Sequence, residues 1–127
     1  MVDKKRPVNL DIGTMKLPIT AYVSILHRVS GVATLFALAI LLWLFDQSLA
    51  SEQSFEATSN IMSSPLAQFL IWGSLAALIY HTVAGIRHLI MDLGVGEESF
   101  NSGRATAWIA IGVAVVLIAA LTGWVIL

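Results

Sequence analysis

Three long apolar stretches constrain this chain more than any other feature of its sequence. They cover residues 21–45, 66–91 and 105–127. A hydrocarbon core of ~30 Å is crossed by about 20 helical residues, so each stretch is long enough to span a membrane. Backbone polar groups cannot stay unpaired in lipid, and none of the stretches alternates as barrel strands do, so each is predicted to be helical. The sequence therefore predicts an all-α membrane protein with three transmembrane helices.

The composition agrees with this fold class and narrows the chemistry. Of the 127 residues, 57% are hydrophobic and 12% are charged, which leaves too little polar surface for a soluble domain of this length. The net charge of −1 does not indicate a nucleic-acid partner. The chain has no cysteine, so a redox metal here has to be held by histidine. We interpret residues 1–127 as a single integral membrane domain.

Lysine and arginine are distributed unevenly between the segments outside the spans. The connection formed by residues 46–65 has neither, whereas the connection formed by residues 92–104 is flanked by Arg87 and Arg104. Segment 1–20 is the most basic and contains Lys4, Lys5, Arg6 and Lys16. The positive-inside rule then places segment 1–20 and loop 92–104 in the cytoplasm. Loop 46–65 and the C-terminus are expected on the periplasmic side.

Two of the three spans contain ionisable residues at similar depth. Polar side chains inside a membrane are expensive unless they are paired or hydrated, so they are functional candidates by default. The first span contains Ser24, His27 and Arg28, with Ser24 and Arg28 on one face. The second contains His81, Gly85 and His88 on one face, together with Arg87, and is followed by Asp92. All of this polar chemistry is expected in the cytoplasmic half of two helices.

Each of these residues also has an ordinary structural interpretation. Arg87, His88 and Asp92 are close enough to the inner surface to be snorkelling or interface groups. His27 could hydrogen-bond a neighbouring helix, and a ligand role and a proton role are both open for His81.

A neutral imidazole in a helix bundle is a suitable axial ligand for haem iron. His81 and His88 lie about 10 Å apart along one helix, so they cannot both ligate the same iron. If two histidines ligate the haem, the second is His27 or belongs to another chain. The depth estimate places His27 nearer the inner surface, where it is better suited to contact a haem propionate.

Two segments resemble the signature regions of a known family. They are SILHRVSG, residues 24–31, and YHTVAGIRHLIMD, residues 80–92. Both resemble the cytochrome b subunit of bacterial succinate dehydrogenase (complex II), and the opening RPVNLD, residues 6–11, is similar to the start of that subunit. The resemblance extends over nearly the whole chain, including its length, its three spans and its acidic first loop.

The resemblance implies specific roles for the polar residues. His81 corresponds to the axial ligand of haem b, and Ser24 and Arg28 correspond to residues of the ubiquinone pocket. His27 and Arg28 would contact the haem propionates, and Gly85 would allow close approach of the haem or of a helix. His88 and Asp92 match the family pattern without a settled role.

The same resemblance implies cofactors, partners and a location. The expected partners are a flavoprotein subunit, an iron–sulfur subunit and a second small membrane anchor subunit that completes the helix bundle. The chain would lie in the bacterial inner membrane and pass electrons from the iron–sulfur subunit to ubiquinone, in the respiratory chain and the tricarboxylic acid cycle. Three alternatives stay open: a fumarate reductase anchor working with menaquinone, a haem-free membrane scaffold, and a small transporter or channel subunit.

Overall fold

The computed structural model describes Val8, Leu10, Asp11 and residues 13–126. Four helices form this part of the chain: α1 (Ile19–Ala50), α2 (Glu52–Met62), α3 (Pro65–Asp92) and α4 (Phe100–Ile126). Helices α1, α3 and α4 are long and apolar enough to cross a membrane, and the described residues form no strand. The prediction of an all-helical protein with three membrane-spanning helices is confirmed. Lys4, Lys5, half of the RPVNLD segment (Arg6, Pro7 and Asn9) and Leu127 lie outside the described residues.

Helix α1 is longer than the apolar stretch that predicted it. It contains 32 residues, which corresponds to a length of about 48 Å against a hydrocarbon core of about 30 Å. Residues 46–65 were predicted only as a connection. In the structure their first five residues form the last turn of α1, and Glu52–Met62 form α2. Ser51 separates the two helices in an extended conformation, and its side chain accepts a hydrogen bond from the Ser54 N–H at 3.0 Å. The Ser54 hydroxyl donates to the Gln47 carbonyl at 2.6 Å and so holds α2 against the end of α1.

Both ends of α3 are defined by local sequence signals. Ser64 caps the first turn by accepting from the Ala67 N–H, and Pro65 occupies the first helical position, where a missing N–H costs little. At the other end, Val95 N–H donates to Ile90 O and Gly94 N–H donates to Met91 O. These two bonds form a Schellman motif, and Gly94 adopts the required positive φ of 79°.

A short loop, residues 93–99, joins α3 to α4. Ser99 and Ser102 cap α4 reciprocally, since each side-chain oxygen accepts from the other residue's N–H at 3.1 Å. Because of this cap, α4 begins at Phe100, before the apolar stretch that starts at residue 105. The Gly96 N–H donates to Glu98, and the Gly96 carbonyl accepts from the Thr106 hydroxyl. These contacts hold the loop against the first turns of α4.

Helix α3 packs against both α1 and α4, while α1 and α4 contact each other less extensively. We call the end where α1 begins, α3 ends and α4 begins the α3–α4 end, and the opposite one the α2 end. The small core lies toward the α3–α4 end and consists of Val23, Ala84 and Ala107. The buried residues of α4 are Gly103, Ala107, Ala110 and Ala114, and such small side chains let membrane helices approach closely.

Most large apolar side chains of the spans are exposed. In water such a surface would aggregate, so it is a surface for lipid and for other membrane helices. The chain is therefore a multi-pass membrane protein, while its orientation and the bundle with a second anchor subunit stay predictions.

Candidate functional site

The three histidines of the chain meet between α1 and α3. The ring of His27 stacks on the ring of His81, with centroids 4.3 Å apart and an angle of 6° between the planes. The ring of His88 lies 4.9 Å from that of His27 at an angle of 46°. The depth estimate from the sequence had separated His27 from His81, but the packing of α1 on α3 brings their rings into contact. We call these three residues the histidine cluster.

The hydrogen bonds of His81 determine which of its ring nitrogens carries hydrogen. His81 Nδ1 lies 3.1 Å from the backbone oxygen of His27 and 3.2 Å from Ser30 Oγ. A carbonyl oxygen can only accept, so Nδ1 has to be the donor. In the neutral ring, Nε2 then carries the lone pair. Among the described residues, no group forms a hydrogen bond with this nitrogen.

Ser30 is the residue of this region to which the sequence analysis assigned no role. It is buried, with 8% of its surface exposed. Its hydroxyl donates to the His27 carbonyl at 2.8 Å, so its oxygen is left to accept from His81 Nδ1. The sequence contains one signal for this contact, namely a serine in the middle of an apolar helix. Such a serine needs a hydrogen-bond acceptor, and the carbonyl three or four residues before it commonly provides one.

Two glycines make room for the histidine rings. A methyl group added at Gly31 would lie 2.9 Å from His81 Cε1, which is closer than non-bonded carbon atoms approach. A methyl group added at Gly85 would lie 3.3 Å from His27 Nε2. The predicted close approach at Gly85 is therefore made by a histidine ring of α1 in this structure.

Ser24 and Arg28 have different surroundings although they lie one turn apart on α1. Ser24 is half-buried and lines a cleft of about 370 Å³ between α1, α3 and the start of α4. Arg87 and His88 line the same cleft. Arg28 is exposed and forms no hydrogen bond or ion pair with the described residues. Asp92, also exposed, is the last residue of α3.

Arg87 is buried, although its position in the sequence is also compatible with an exposed side chain at the membrane surface. Only 6% of its surface is exposed. Its Nε–H donates to Thr106 Oγ1 at 3.3 Å, and its Nη2–H donates to the Gly103 carbonyl at 3.1 Å. Arg87 thus connects α3 to the first turns of α4. The snorkelling interpretation does not apply to this residue within the described chain, because its head group bonds to α4.

The histidine cluster, Arg28 and Arg87 all lie toward the α3–α4 end of the spans. Two clefts at the α2 end have volumes of about 520 and 350 Å³. Neither of them is lined by an ionisable side chain. The side chains that line these two clefts therefore offer no group that could ligate iron or exchange protons.

Comparison with known proteins gives a consistent set of relatives. A sequence profile of the family described as "Succinate dehydrogenase/Fumarate reductase transmembrane subunit" matches residues 2–121. The succinate dehydrogenase cytochrome b556 subunit of Coxiella burnetii is 34% identical over 125 residues, which is 98% of this chain and 99% of that protein. The b556 subunit of Paracoccus denitrificans is 31% identical over 79% of each chain. The b560 subunit of Reclinomonas americana is 31% identical over 95% of this chain and 85% of that protein.

Proposed function

Since the chain belongs to the family of succinate dehydrogenase and fumarate reductase transmembrane subunits, we propose that it is the haem b-binding and ubiquinone-binding anchor of a bacterial succinate dehydrogenase. In this proposal a flavoprotein subunit oxidises succinate to fumarate, and an iron–sulfur subunit carries the two electrons to the membrane. Ubiquinone takes up these electrons and two protons at a site partly formed by this chain. A second small anchor subunit completes the bundle in the inner membrane, with the N-terminus in the cytoplasm and the C-terminus in the periplasm.

The observation that carries the proposal is the hydrogen bonding of His81. Its Nδ1–H is directed at the His27 carbonyl, which leaves the Nε2 lone pair without a partner among the described residues. Metal-binding histidines commonly donate their second ring N–H to a carbonyl or carboxylate in this way. The residues therefore fit a haem whose iron is ligated by His81. When bound, this haem supplies a one-electron redox centre inside the membrane.

The geometry of the histidine cluster favours a single haem-ligating histidine on this chain, so a further ligand would come from another chain. The planes of His27 and His81 are nearly parallel, so the rings face each other rather than directing two nitrogens at one iron. His88 is two turns from His81 on the same helix. His27 and Arg28 are instead assigned to the haem propionates, with His88 beside them and Gly85 leaving space for the His27 ring.

We assign the quinone contacts to Ser24 and Arg28. Ser24 lines the cleft, and its hydroxyl can donate to the carbonyl oxygen of a quinone bound there. The Arg28 guanidinium stabilises negative charge on the quinone oxygen as electrons arrive. A charged group exposed on a spanning helix costs about 2.5–3.5 kcal/mol when it faces lipid at mid-membrane. The exposure of Arg28 therefore supports an anionic or accepting partner there, supplied by a quinone, a propionate or a partner subunit. Protons come from cytoplasmic water, for which Asp92 is an exposed entry point.

The succinate dehydrogenase assignment is preferred to its nearest alternative. The family description also covers fumarate reductase subunits. A chain of that kind would serve the reverse reaction, with menaquinone as the alternative quinone. The relatives named above are all succinate dehydrogenase subunits, and this favours succinate oxidation.

The haem assignment is tested by difference spectra of membranes that contain the assembled complex. Dithionite-reduced minus oxidised spectra are recorded for the wild type, His81→Ala and His88→Ala. A b-type α-band is expected in the wild type and in His88→Ala, and is expected to disappear or shift in His81→Ala. A wild type without this band would favour the haem-free scaffold instead.

The quinone assignment is tested by separating the two half-reactions. Arg28→Ala is expected to lower succinate-dependent ubiquinone reduction by about 10²–10³-fold, the usual effect of removing a group that stabilises developing negative charge. Succinate-dependent reduction of a soluble dye at the flavoprotein should stay unchanged. Arg104→Ala is the matched control, because Arg104 is also exposed near the start of α4. Equal ubiquinone reduction in the two variants would contradict the role of Arg28.

A further inference from the structure

We propose that Ser30 is a positioning residue that orients the His81 ring and strengthens Nε2 as an iron ligand. This inference rests on the proposed function, since it presupposes that His81 ligates haem. Ser30 belongs to α1, whereas His81 belongs to α3, so the contact also connects the two helices that form the site.

The local hydrogen bond of Ser30 does not by itself distinguish this residue. Ser48, on the same helix, donates to the carbonyl three residues before it at 2.7 Å, as Ser30 does at 2.8 Å. Serine in the interior of a helix commonly makes this type of bond. Ser30 differs because it is buried and because its oxygen lies 3.2 Å from His81 Nδ1.

The directions of these hydrogen bonds follow from the chemistry of the three groups. The Ser30 hydrogen is directed at the His27 carbonyl, which leaves the lone pairs of its oxygen for the Nδ1–H of His81. The same Nδ1–H also approaches the His27 carbonyl at 3.1 Å. His81 therefore donates one hydrogen to two acceptors on α1. A ring held in this way can neither flip nor exchange its tautomer without losing both bonds.

Two acceptors on Nδ1–H also affect the electron density of the ring. Polarising this bond makes Nε2 more basic and so a stronger ligand, and it favours the more highly charged oxidised iron. Removing the Ser30 oxygen should weaken both effects. Outer groups of this kind typically change metal affinity by about 10–100-fold.

The experiment uses the assembled, haem-loaded complex purified in detergent. Variants Ser30→Ala and Ser30→Cys are compared with the wild type, and Ser48→Ala is the matched control. Cysteine keeps nearly the volume of serine but accepts hydrogen bonds weakly, so it tests the inference even if the alanine variant assembles poorly. Two quantities are measured: the rate of haem transfer to excess apomyoglobin and the midpoint potential of the haem.

The inference predicts a change that a purely structural serine would not cause. In both Ser30 variants, haem transfer should accelerate roughly tenfold or more, and the midpoint potential should become more positive. Ser48→Ala should match the wild type in both. If the Ser30 variants also match Ser48→Ala, the positioning role is refuted. The proposed function is unaffected by that result as long as the haem α-band is lost in His81→Ala. If His81→Ala keeps the wild-type band, the proposed function fails and this inference fails with it.

Discussion

Replacing Gly31 by alanine tests whether the His81 ring is packed directly against α1. The added methyl carbon would lie 2.9 Å from Cε1 of the ring and 3.4 Å from Nδ1. Carbon atoms attract best at about 3.5–4.0 Å, so the ring has to retreat by roughly 0.6 Å. Both hydrogen-bond acceptors of Nδ1, at 3.1 and 3.2 Å, also belong to α1. A retreat of this size therefore lengthens the two bonds to about 3.7 and 3.8 Å, which is outside the range of a hydrogen bond.

The expected loss of stability can be worked out from three contributions. Overpacking costs about 1–3 kcal/mol, each weakened hydrogen bond about 1 kcal/mol, and the better helix propensity of alanine returns about 1 kcal/mol. The net destabilisation is about 2–4 kcal/mol, accompanied by loss or shift of the haem α-band. Thermal unfolding of the purified complex, followed by circular dichroism and by haem absorption, measures both.

The chain offers graded controls for this substitution. A methyl group added at Gly73 or Gly112 meets no atom within 4 Å, so these variants should be neutral, or more stable by up to about 1 kcal/mol. Gly85→Ala should be intermediate, because its contact with His27 is 3.3 Å. A Gly31→Ala complex with the stability and spectrum of Gly112→Ala would refute the close packing of His81 on α1.

Two further predictions concern the junction of α3 and α4. Arg87→Lys should destabilise the protein by about 1.5–3 kcal/mol, because one ammonium group cannot replace the guanidinium bonds to both Gly103 and Thr106; thermal unfolding and protease nicking of loop 93–99 measure this. The hydrogen bond from the Gly96 N–H lowers the pKa of Glu98 below its ordinary value. The ionised carboxylate thus stabilises the loop at neutral pH, and this contribution is lost as the pH falls through the lowered pKa. The protection of the amides of residues 93–99, measured against their intrinsic exchange rate at each pH, should therefore fall on acidification in the wild type and not in Glu98→Gln.

Neighbouring residues provide the controls for both. Arg104→Lys changes an exposed side chain and should leave stability within about 0.5 kcal/mol of the wild type. Glu97→Gln should keep the loss of amide protection on acidification, because Glu97 forms no hydrogen bond with the described residues. Equal stability of the Arg87 and Arg104 variants, or a loss of amide protection on acidification that persists in Glu98→Gln, would contradict the contacts described for this junction.

The type and number of the membrane-spanning helices could be predicted from the sequence, since each apolar run contains enough residues to cross the bilayer and a backbone in lipid has to satisfy its own hydrogen bonds. The boundaries of the helices were harder to predict. Residues 46–65 were predicted as a connection, yet they contain α2, because a short polar helix with a serine cap has no hydropathy signal. The Ser99 and Ser102 cap likewise extends α4 before its apolar stretch.

The candidate site could likewise be predicted from the sequence only in part. Helical spacing alone puts His81, Gly85 and His88 on one face of α3, and the cost of polar groups in lipid makes them functional candidates. The stacking of His27 on His81, the hydrogen bond from His81 to α1 and the burial of Arg87 against α4 depend instead on the register and rotation of one helix against another. These are set by contacts between residues 16 to 57 positions apart, such as Arg87 with Gly103 and Tyr80 with Val23. The periodicity of a single helix carries no information about such contacts, so only the tertiary structure decided them.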